Sequence, residues 1–251
     1  MSEPKIIEPP TIYDLPNIYG TAGGGGSSSS GCIFWTRFSN FDTNTLIDTP
    51  IIGNTYKLKQ TENALYSIVS TTTKFTVGNI NLLKTENSNH DNTIIFGYIP
   101  LPTPTDGNFS VSYICTVLDM GEAQFLNRLE FFDSNDVKKF EMQVNWHRDA
   151  YGDHWEFWIY ENFAYTMYNY TTFDENNFGY NQFAYPPAQV SQNVPHVIRA
   201  DYVNGDVTIY VDGVVSLVIN NVPRPHSMRL RPDPRNNVTV GISNAIVVNL
   251  P

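Results

Sequence analysis

An all-β fold is what this sequence predicts: an antiparallel β-sandwich of the jelly-roll type, preceded by an extended N-terminal arm. Charged residues make up only 16% of the chain and aromatic residues 14%, which is typical of strands and loops, because long helices need more alanine, leucine, glutamate and lysine. Asn-Gly and Asp-Gly pairs separate alternating segments near the C-terminus, and further short alternating segments recur along the body. Many short strands divided by turn residues indicate a sandwich.

The pairs Asn204-Gly205 and Asp212-Gly213 are the strongest local signals. A two-residue type I′ turn needs positive φ at both central residues, which asparagine, aspartate and glycine tolerate. The two pairs therefore predict a three-strand antiparallel meander over residues 196–220. In its middle strand, Val207, Ile209 and Val211 are expected to face the core. Thr208 and Tyr210 are expected to face outward.

Further strands are predicted wherever apolar and polar residues alternate between turn residues. These segments are 55–60, 64–70, 93–99, 109–119, 127–134, 138–146, 154–161 and, as one or two strands, 238–250. Pro100, Pro102 and Pro104 predict a loop, because proline cannot donate to a β-ladder. Residues 223–235, rich in proline and arginine, predict a positively charged loop. This loop either pairs with acidic groups on a neighbouring subunit or a glycan, or is solvated.

The N-terminal residues divide into a peptide and a tether. Residues 1–22 are rich in proline and isoleucine, residues 23–31 are GGGGSSSSG, and a β-patterned body occupies 32–251. Glycine and serine offer little apolar surface in return for ordering, so residues 23–31 are expected to be a flexible coil. The first segment is then interpreted as a docking peptide, with a disordered leader or an expression scar as the alternative. Its candidate contact residues are Pro9, Pro10, Ile12, Tyr13, Leu15, Ile18 and Tyr19.

Composition excludes several classes of partner. The net charge of −10 and isoelectric point of about 4.8 disfavour nucleic acid and anionic membrane surfaces, which attract lysine and arginine. We expect no membrane insertion, because no apolar segment approaches the length of a membrane span, and no secretion signal opens the chain. Cys32 and Cys115 are expected to be free thiols, which favours synthesis in a reducing compartment.

Two resemblances follow from these residues. The string DYVNGDVTIYVDGVVSLVI, followed by VTVGIS, resembles the C-terminal half of the concanavalin A-like lectin/glucanase fold, including laminin-G-like domains. The likeness covers at most residues 109–247 and rests on Val207, Ile209, Tyr210, Val211, Asp212, Gly213, Val240, Gly241 and Ile242. The order of peptide, glycine run and β-body resembles bacteriophage fibre and decoration proteins, which attach by their N-termini and display a lectin-like head.

An aromatic-rich segment, residues 146–185, contains three of the four tryptophans. Aromatic faces stack on sugars while amides and carboxylates bond hydroxyl groups, but tyrosine and tryptophan are also enriched in subunit interfaces. The segment is therefore either a carbohydrate site or an interface. Its candidate residues are Trp155, Trp158, Tyr165, Tyr168, Tyr170 and Asn169, with Asp153 and Asn176 as further polar partners.

We predict no catalytic residues, no enzymatic activity and no cofactor. Related retaining glucanases carry E-x-D-x-x-E on one strand, which neither Glu130–Asp133 nor Asp153–Glu156 reproduces. The histidines lack a G-x-S-x-G partner, and clustered zinc ligands are missing from the sequence. Calcium at the turn of Asp133, Asn135 and Asp136 is the one metal considered, with an ordinary Asx turn as the favoured alternative.

Three functional hypotheses result. The first, implied by the phage resemblance, is a non-enzymatic virion component, made in the host cytoplasm, that docks on other virion proteins through its arm and forms a homo-oligomer. The second is a carbohydrate-binding adhesion or receptor-binding module that recognises host surface glycans. The third is a glycoside hydrolase with an unrecognised site, for which Glu156 is the residue to test.

Overall fold

The computed structural model describes residues 31–60, 64–72, 79–87, 97–105, 107–119, 124–149, 152–161, 164–169, 195–234 and 239–250. These residues form seventeen β-strands. Within the described ranges no helix is long and apolar enough to cross a membrane. The sequence prediction of an all-β antiparallel fold is confirmed.

The first sheet is antiparallel throughout and has the order β15-β14-β13-β8-β17-β6-β5, with β1 also paired to β17. Its strands are β1 (Cys32–Thr36), β5 (Ala64–Thr72), β6 (Asn79–Asn87), β8 (Asn108–Asp119), β13 (Pro195–Val203), β14 (Asp206–Val211), β15 (Val214–Ile219) and β17 (Thr239–Leu250). One edge of strand β17 pairs with β8 along its length. On the other edge, the first half of β17 pairs with β6 and the second half pairs with β1. A bulge between Ser243 and Ile246, with Asn244 at φ 49°, separates the halves.

The second sheet has the order β12-β11-β10-β9-β16-β7-β4. Its strands are β4 (Lys59–Gln60), β7 (Gly97–Leu101), β9 (Gln124–Phe132), β10 (Lys138–Asp149), β11 (Gly152–Glu161), β12 (Ala164–Asn169) and β16 (Ser227–Pro234). A separate two-stranded ribbon joins β2 (Ile47–Asp48) to β3 (Tyr56–Lys57). The buried Asp48 carboxylate accepts hydrogen bonds from Thr36 Oγ1 at 2.5 Å and Tyr56 Oη at 2.8 Å, which fastens this ribbon to β1.

One hydrophobic core joins the two sheets. Phe109 of the first sheet contacts Phe131 of the second with ring centroids 5.9 Å apart, and Phe131 in turn contacts Phe140 at 5.1 Å. Tyr202 stacks on Phe109 at 5.0 Å. Burial of such large apolar side chains supplies the main driving force for folding. The inner faces of the sheets therefore form the core, and their outer faces are left for other contacts.

The predicted meander is confirmed as β13, β14 and β15. Asn204 and Gly205 have φ of 53° and 92°, and Asp212 and Gly213 have 50° and 81°, as a type I′ turn requires. The middle strand buries Val207, Ile209 and Val211, while Thr208 and Tyr210 are partly exposed.

The prediction of a positively charged loop over 223–235 is wrong, since most of that segment is β16, between β9 and β7. Met228 and Leu230 are buried in the core, so the segment alternates as a strand should. Pro232 and Pro234 argued against a strand in the sequence. Among the described strands, both pair with β9 alone, because β7 pairs only with residues 228–230 of β16. Proline is tolerated where a strand has a neighbour on one side only, because its missing N–H is not needed there.

The predicted loop at Pro100, Pro102 and Pro104 is wrong at its first residue. Pro100 lies in β7, where it pairs with Arg229 of β16. On its other edge β7 pairs with β4 only at Gly97 and Tyr98, so Pro100 has no partner there among the described residues. Strands β6 and β12 were not predicted at all. The docking peptide, and the tether up to residue 30, lie outside the described residues.

Gly31, the last residue of the predicted tether, is part of the folded body. Its carbonyl accepts a hydrogen bond of 2.6 Å from the Asn249 amide. A Cβ added to Gly31 would lie 2.6 Å from the Asn249 carbonyl oxygen, closer than real Cβ contacts come.

We expect Gly31→Ala to lower the free energy of unfolding by about 1–3 kcal/mol, because the added methyl group overpacks this junction. The Asn249 amide should also exchange its hydrogen faster. Gly107→Ala is the matched control: its φ is 75° but no atom lies within 4 Å of the added Cβ, so it carries backbone strain alone. Unchanged exchange at Asn249 in Gly31→Ala would contradict a folded Gly31.

Candidate functional site

A layer of charged and aromatic side chains covers the outer face of the second sheet. We call it the charged face. Its members on β7, β9, β10, β11 and β16 are Tyr98, Arg128, Glu130, Phe132, Lys138, Glu141, Gln143, Tyr160, Arg229 and Arg231.

Strand alternation places these side chains outside. Leu129 and Phe131 of β9 are buried in the core, as is Met142 of β10, so their neighbours along each strand project to the opposite face. The same alternation on β16 buries Met228 and Leu230 and turns the two intervening arginines outward. The core pattern of each strand thus determines which polar residues reach the charged face.

Cross-strand register aligns the outward residues in two rows. Residues directly opposite in an antiparallel pair have Cβ atoms roughly 4.5–5.5 Å apart, close enough for their side chains to interact. The first row is Arg229, Glu130, Glu141 and Tyr160. The second row is Arg231, Arg128 and Gln143, followed by the backbone position of Trp158.

Ion pairs connect the two rows diagonally. Arg231 Nη1 lies 3.3 Å from Glu130 Oε1, and Arg128 Nη1 lies 3.1 Å from Glu141 Oε1. The other donors to Glu141 are Gln143 Nε2, which bonds Oε1, and Lys138 Nζ, which bonds Oε2. Glu141 therefore has three donors from two strands around one buried carboxylate.

A β-bulge brings Lys138 to this carboxylate. The register between β10 and β9 shifts between Lys138 and Phe140, so one extra residue of β10 is accommodated there. Without the bulge, alternation would place Lys138 on the same face as the buried Phe140. Because the bulge changes which face Lys138 occupies, its ammonium group reaches Glu141 three residues along the strand.

The carboxylates lie beneath the cations. The side chains of Glu130 and Glu141 are 3% and 0% exposed, whereas those of Arg231, Arg229 and Lys138 are 17%, 22% and 23% exposed. Around Glu130 and Glu141 the cations are thus more exposed than the carboxylates, whereas at Arg229 the partner carboxylate, Asp136, is itself 67% exposed.

Aromatic rings hold two of these cations in place. The Lys138 ammonium lies 4.4 Å from the Tyr160 ring centroid. The Arg229 guanidinium lies 4.7 Å from the Tyr98 centroid and 3.9 Å from the Phe132 centroid, and it also pairs with Asp136. Cation–π contacts of this kind orient a planar guanidinium while leaving an edge of it available for other hydrogen bonds.

The two buried carboxyl groups have opposite electrostatic environments. Burial raises the pKa of Glu130 above its ordinary value, and Arg231 offsets this only in part because the Glu141 charge adds to the increase. Burial also acts to raise the pKa of Glu141, but Arg128 and Lys138 outweigh it and hold that pKa below its ordinary value. Glu141 is thus the firmly ionised member of the pair.

Most residues of the aromatic site predicted from the sequence lie on β11 and β12, at the end of the second sheet. Trp155 and Trp158 are in β11, and Tyr165, Tyr168 and Asn169 are in β12. For these five residues only the backbone is described. In the backbone register, Trp158 is opposite Gln143, and Tyr165 is opposite Tyr160. Tyr170 and the docking-peptide candidates Pro9, Pro10, Ile12, Tyr13, Leu15, Ile18 and Tyr19 lie outside the described residues. These assignments stay predictions.

The residues of the charged face were not found from the sequence. The strings NRLEFF and KKFEMQ did predict strands, and their alternation already places Arg128, Glu130 and Glu141 opposite the core side. The missing information was register, because β16 and β9 are about a hundred residues apart and only pairing reveals that their charges meet.

The candidate calcium turn has the geometry of an Asx turn. Asp133 Oδ1 accepts hydrogen bonds from the amides of Asn135 at 2.8 Å and Val137 at 3.0 Å, and Oδ2 pairs with Lys139 at 3.2 Å. Asp136 pairs with Arg229. Among the described residues, no group of three or more His, Cys, Asp or Glu side chains is arranged to hold a metal.

A second polar cluster lies between the sheets. His196 Nδ1 is 2.7 Å from Asp212 Oδ2, and His196 pairs in register with Cys115. Burial raises the pKa of the Cys115 thiol, so it is held protonated at neutral pH. Asp212 also accepts a hydrogen bond from the Val197 amide at 2.8 Å, so its carboxylate fastens the Asp-Gly turn to β13. We interpret this cluster as structural.

The sequence matches no protein-family model and no curated protein. A Bacillus subtilis protein of unknown function with a galectin-like fold superposes with a TM-score of 0.51 at 9% identity, over 88% of this chain and 97% of that chain. The cellulose induced protein Cip1 superposes with a TM-score of 0.50 at 11% identity, over 86% and 97%. The carbohydrate binding module CBM66 from Bacillus subtilis gives 0.39 at 15% identity, over 75% and 97%.

The fold is therefore a galectin-like β-sandwich, and the expected lectin-like domain architecture is confirmed at the level of fold. These neighbours do not support the virion interpretation, whose basis was the arrangement of the N-terminal residues.

At neutral pH we expect Glu141→Gln to lower the free energy of unfolding by about 3 kcal/mol, because it leaves buried cations without their counter-charge. Glu130→Gln should cost at most ~1 kcal/mol, because its environment already disfavours the ionised form. Denaturant unfolding of both variants and the wild type measures the difference.

The Glu141 effect should depend on pH with a defined sign. Because the folded-state pKa of Glu141 lies below its ordinary 4.5, its contribution is present above that value and is lost as the pH falls through the folded-state pKa. The wild type and Glu141→Gln should therefore converge in stability once the pH is below the folded-state pKa of Glu141. Equal losses in both variants, or a gap that widens in acid, would contradict this assignment.

Proposed function

We propose that this protein is a non-enzymatic carbohydrate-binding module and that the charged face is its binding surface. The observation that carries the proposal is the layer of partly exposed cations and tyrosine rings, fixed over buried carboxylates, on the outer face of a galectin-like sandwich. Saccharides are bound by planar aromatic surfaces together with a few convergent hydrogen-bonding groups.

Rigidity supports a binding role for this face. Its groups lie on strands whose other face is packed in the core, and strands hold side chains more precisely than loops do. Arg229 is held between two rings and an acid, and Arg231 is held by Glu130. Side chains that are already ordered lose little entropy when a ligand binds.

Burial of the carboxylates favours binding over hydrolysis. A retaining glycosidase needs two carboxyl groups that reach the scissile bond, one as nucleophile and one as acid. Glu130 and Glu141 face each other in register, but both are covered, and three side chains donate to Glu141. The glycoside hydrolase hypothesis, whose candidate is Glu156, stays a prediction, because only the backbone of Glu156 is described.

The ligand-binding variant to test is Arg229→Ala. Loss of one charge-assisted hydrogen bond and its stacked geometry should weaken saccharide binding about 10- to 100-fold, measured by calorimetry with a ligand identified on a glycan array. Arg199→Ala is the matched control. Arg199 also lies over a tyrosine ring, 3.8 Å from the Tyr210 centroid, and pairs with Asp201, but on the outer face of the first sheet.

Arg199→Ala should bind saccharide within about twofold of the wild type, a difference below ~0.5 kcal/mol. Trp158→Ala, at the end of the second row, is expected to weaken binding as well. Equal effects of the Arg229 and Arg199 variants, or no glycan bound by the full chain, would exclude the charged face as a carbohydrate site.

The virion role is kept as a second candidate, on the arrangement of residues 1–31 alone. In it, residues 4–20 dock on other virion proteins and the sandwich displays its charged face to host surface glycans, as a homo-oligomer. Deleting residues 1–22 should leave a folded protein that still binds saccharide but no longer joins particles. Normal incorporation of the deleted protein would remove the docking hypothesis without affecting carbohydrate binding.

A further inference from the structure

We infer that strand β15 is the interface at which a second copy of this chain binds, edge to edge and antiparallel across a two-fold axis. Strand β15 (Val214–Ile219) ends the first sheet. Within the described ranges it pairs with β14 on one edge and with no strand on the other. An unpaired edge presents a row of backbone N–H and C=O groups to any strand that approaches it.

The first argument is the exposure of apolar side chains on β15. Val214, Val215 and Val218 are 44%, 40% and 48% exposed. Seven large hydrophobic residues are exposed in the described part of the chain, and these three belong to one six-residue strand. Exposed apolar residues are ordinary when they are scattered, but a cluster of them beside free backbone groups marks a contact surface.

Strand register explains why two of these valines face outward. Val215 lies opposite Tyr210, and Val218 lies opposite Thr208. Both partners are partly exposed on the outer face of the first sheet. The register between β14 and β15 shifts next to Tyr210, so Ser216 is an extra residue of β15. Because of this bulge, two valines three residues apart occupy the same face beside the free edge.

The second argument is that β15 lacks the features that usually keep an edge strand solvated. Edge strands are commonly very short, or they carry lysine or proline. Strand β4, which ends the second sheet, is two residues long and includes the exposed Lys59. Strand β15, in contrast, has six residues, VVSLVI, with neither a charge nor a proline. Such an edge favours aggregation when it is left in water, so we expect it to be covered in the native protein.

Charge favours a second copy as the partner. The chain has a net charge of −10, so two copies repel each other over most of their surfaces. The outward side chains of β15, and those opposite them on β14, are uncharged, so contact at this edge brings no like charges together. The partner must also supply an uncharged strand with a free edge, and β15 itself meets that requirement when a two-fold axis relates the copies.

This pairing has a consequence for the charged face. Antiparallel pairing of identical edges places the two-fold axis perpendicular to the joined sheet, which keeps the same side of both copies facing the same way. The two second sheets then lie side by side, with both charged faces in one direction. Such a dimer would bind a glycan-coated surface through two sites at once. This bivalence rests on the proposed function, whereas the dimer itself does not.

The experiment is sedimentation equilibrium of the full-length protein without saccharide, so its result is independent of the proposed function. We expect a reversible monomer–dimer equilibrium with a dissociation constant of roughly micromolar size, because a six-residue contact between strands is small. The dissociation constant should fall when salt rises from about 0.01 M to 0.15 M, since screening weakens the repulsion between two acidic copies.

Val218→Lys should raise the dissociation constant about tenfold or more, because symmetry brings two added ammonium groups to one interface. Val137→Lys is the matched control. Val137 is 40% exposed but lies in the turn between β9 and β10, so its replacement makes the same change of charge away from β15. Its dissociation constant should stay within about twofold of the wild type. Circular dichroism should show the same fold in both variants.

Hydrogen exchange identifies what occupies the edge. With a second copy bound, the protection of the amides in residues 214–219 rises with the concentration of the wild type, and rises much less in Val218→Lys. Protection that is equal at every concentration would mean that another part of the same chain, such as residues 1–22, covers β15, and would overturn the inference. A protein that stays monomeric to about 200 µM would also overturn it. So would association that weakens as salt rises, or a dimer that the two lysine variants affect equally.

Discussion

One buried carboxylate organises the centre of the outer face of the second sheet. Glu141 is fully enclosed, and taking its charge out of water costs several kcal/mol unless partners compensate. Compensation comes from Arg128 on the neighbouring strand, Lys138 at the bulge and Gln143 on the same strand. A one-residue slip between β9 and β10 would send Arg128 to the opposite face and remove the one donor to Glu141 that comes from the neighbouring strand. The carboxylate therefore fixes register as well as side-chain position.

The core and the site constrain each other through strand alternation. Leu129, Phe131 and Met142 must face inward to fill the space between the sheets, and this requirement alone turns the intervening charged residues outward. The outer face is thereby rigid without using loops. Glu130 pairs with Arg231, and Glu141 pairs with Arg128 and Lys138, whereas Arg229 pairs with the exposed Asp136. The ion-pair network and the proposed binding surface consist of the same side chains.

The sequence predicted features that depend on neighbouring residues, such as turns, but not which distant strands pair with each other. The Asn204-Gly205 and Asp212-Gly213 turns predicted a three-strand meander because their backbone requirements are local. Strand β16 escaped prediction because Pro232 and Pro234 argue against a strand unless one knows that only one neighbour pairs there. The charged face escaped for a related reason: its arginines and glutamates come from strands far apart in the chain. The bulge that brings Lys138 to Glu141 is likewise invisible until β9 and β10 are paired.

The most direct test of this account is a crystal structure of the full-length protein with a bound oligosaccharide. The account predicts sugar density across β16, β9 and β10, with a ligand oxygen within hydrogen-bond distance, about 2.7–3.2 Å, of Arg229 or Arg231. It also predicts that Glu141 keeps Arg128 and Lys138 as partners in the complex. A saccharide bound on the first sheet or at the ends of the sandwich, with the charged face left to solvent, would contradict it.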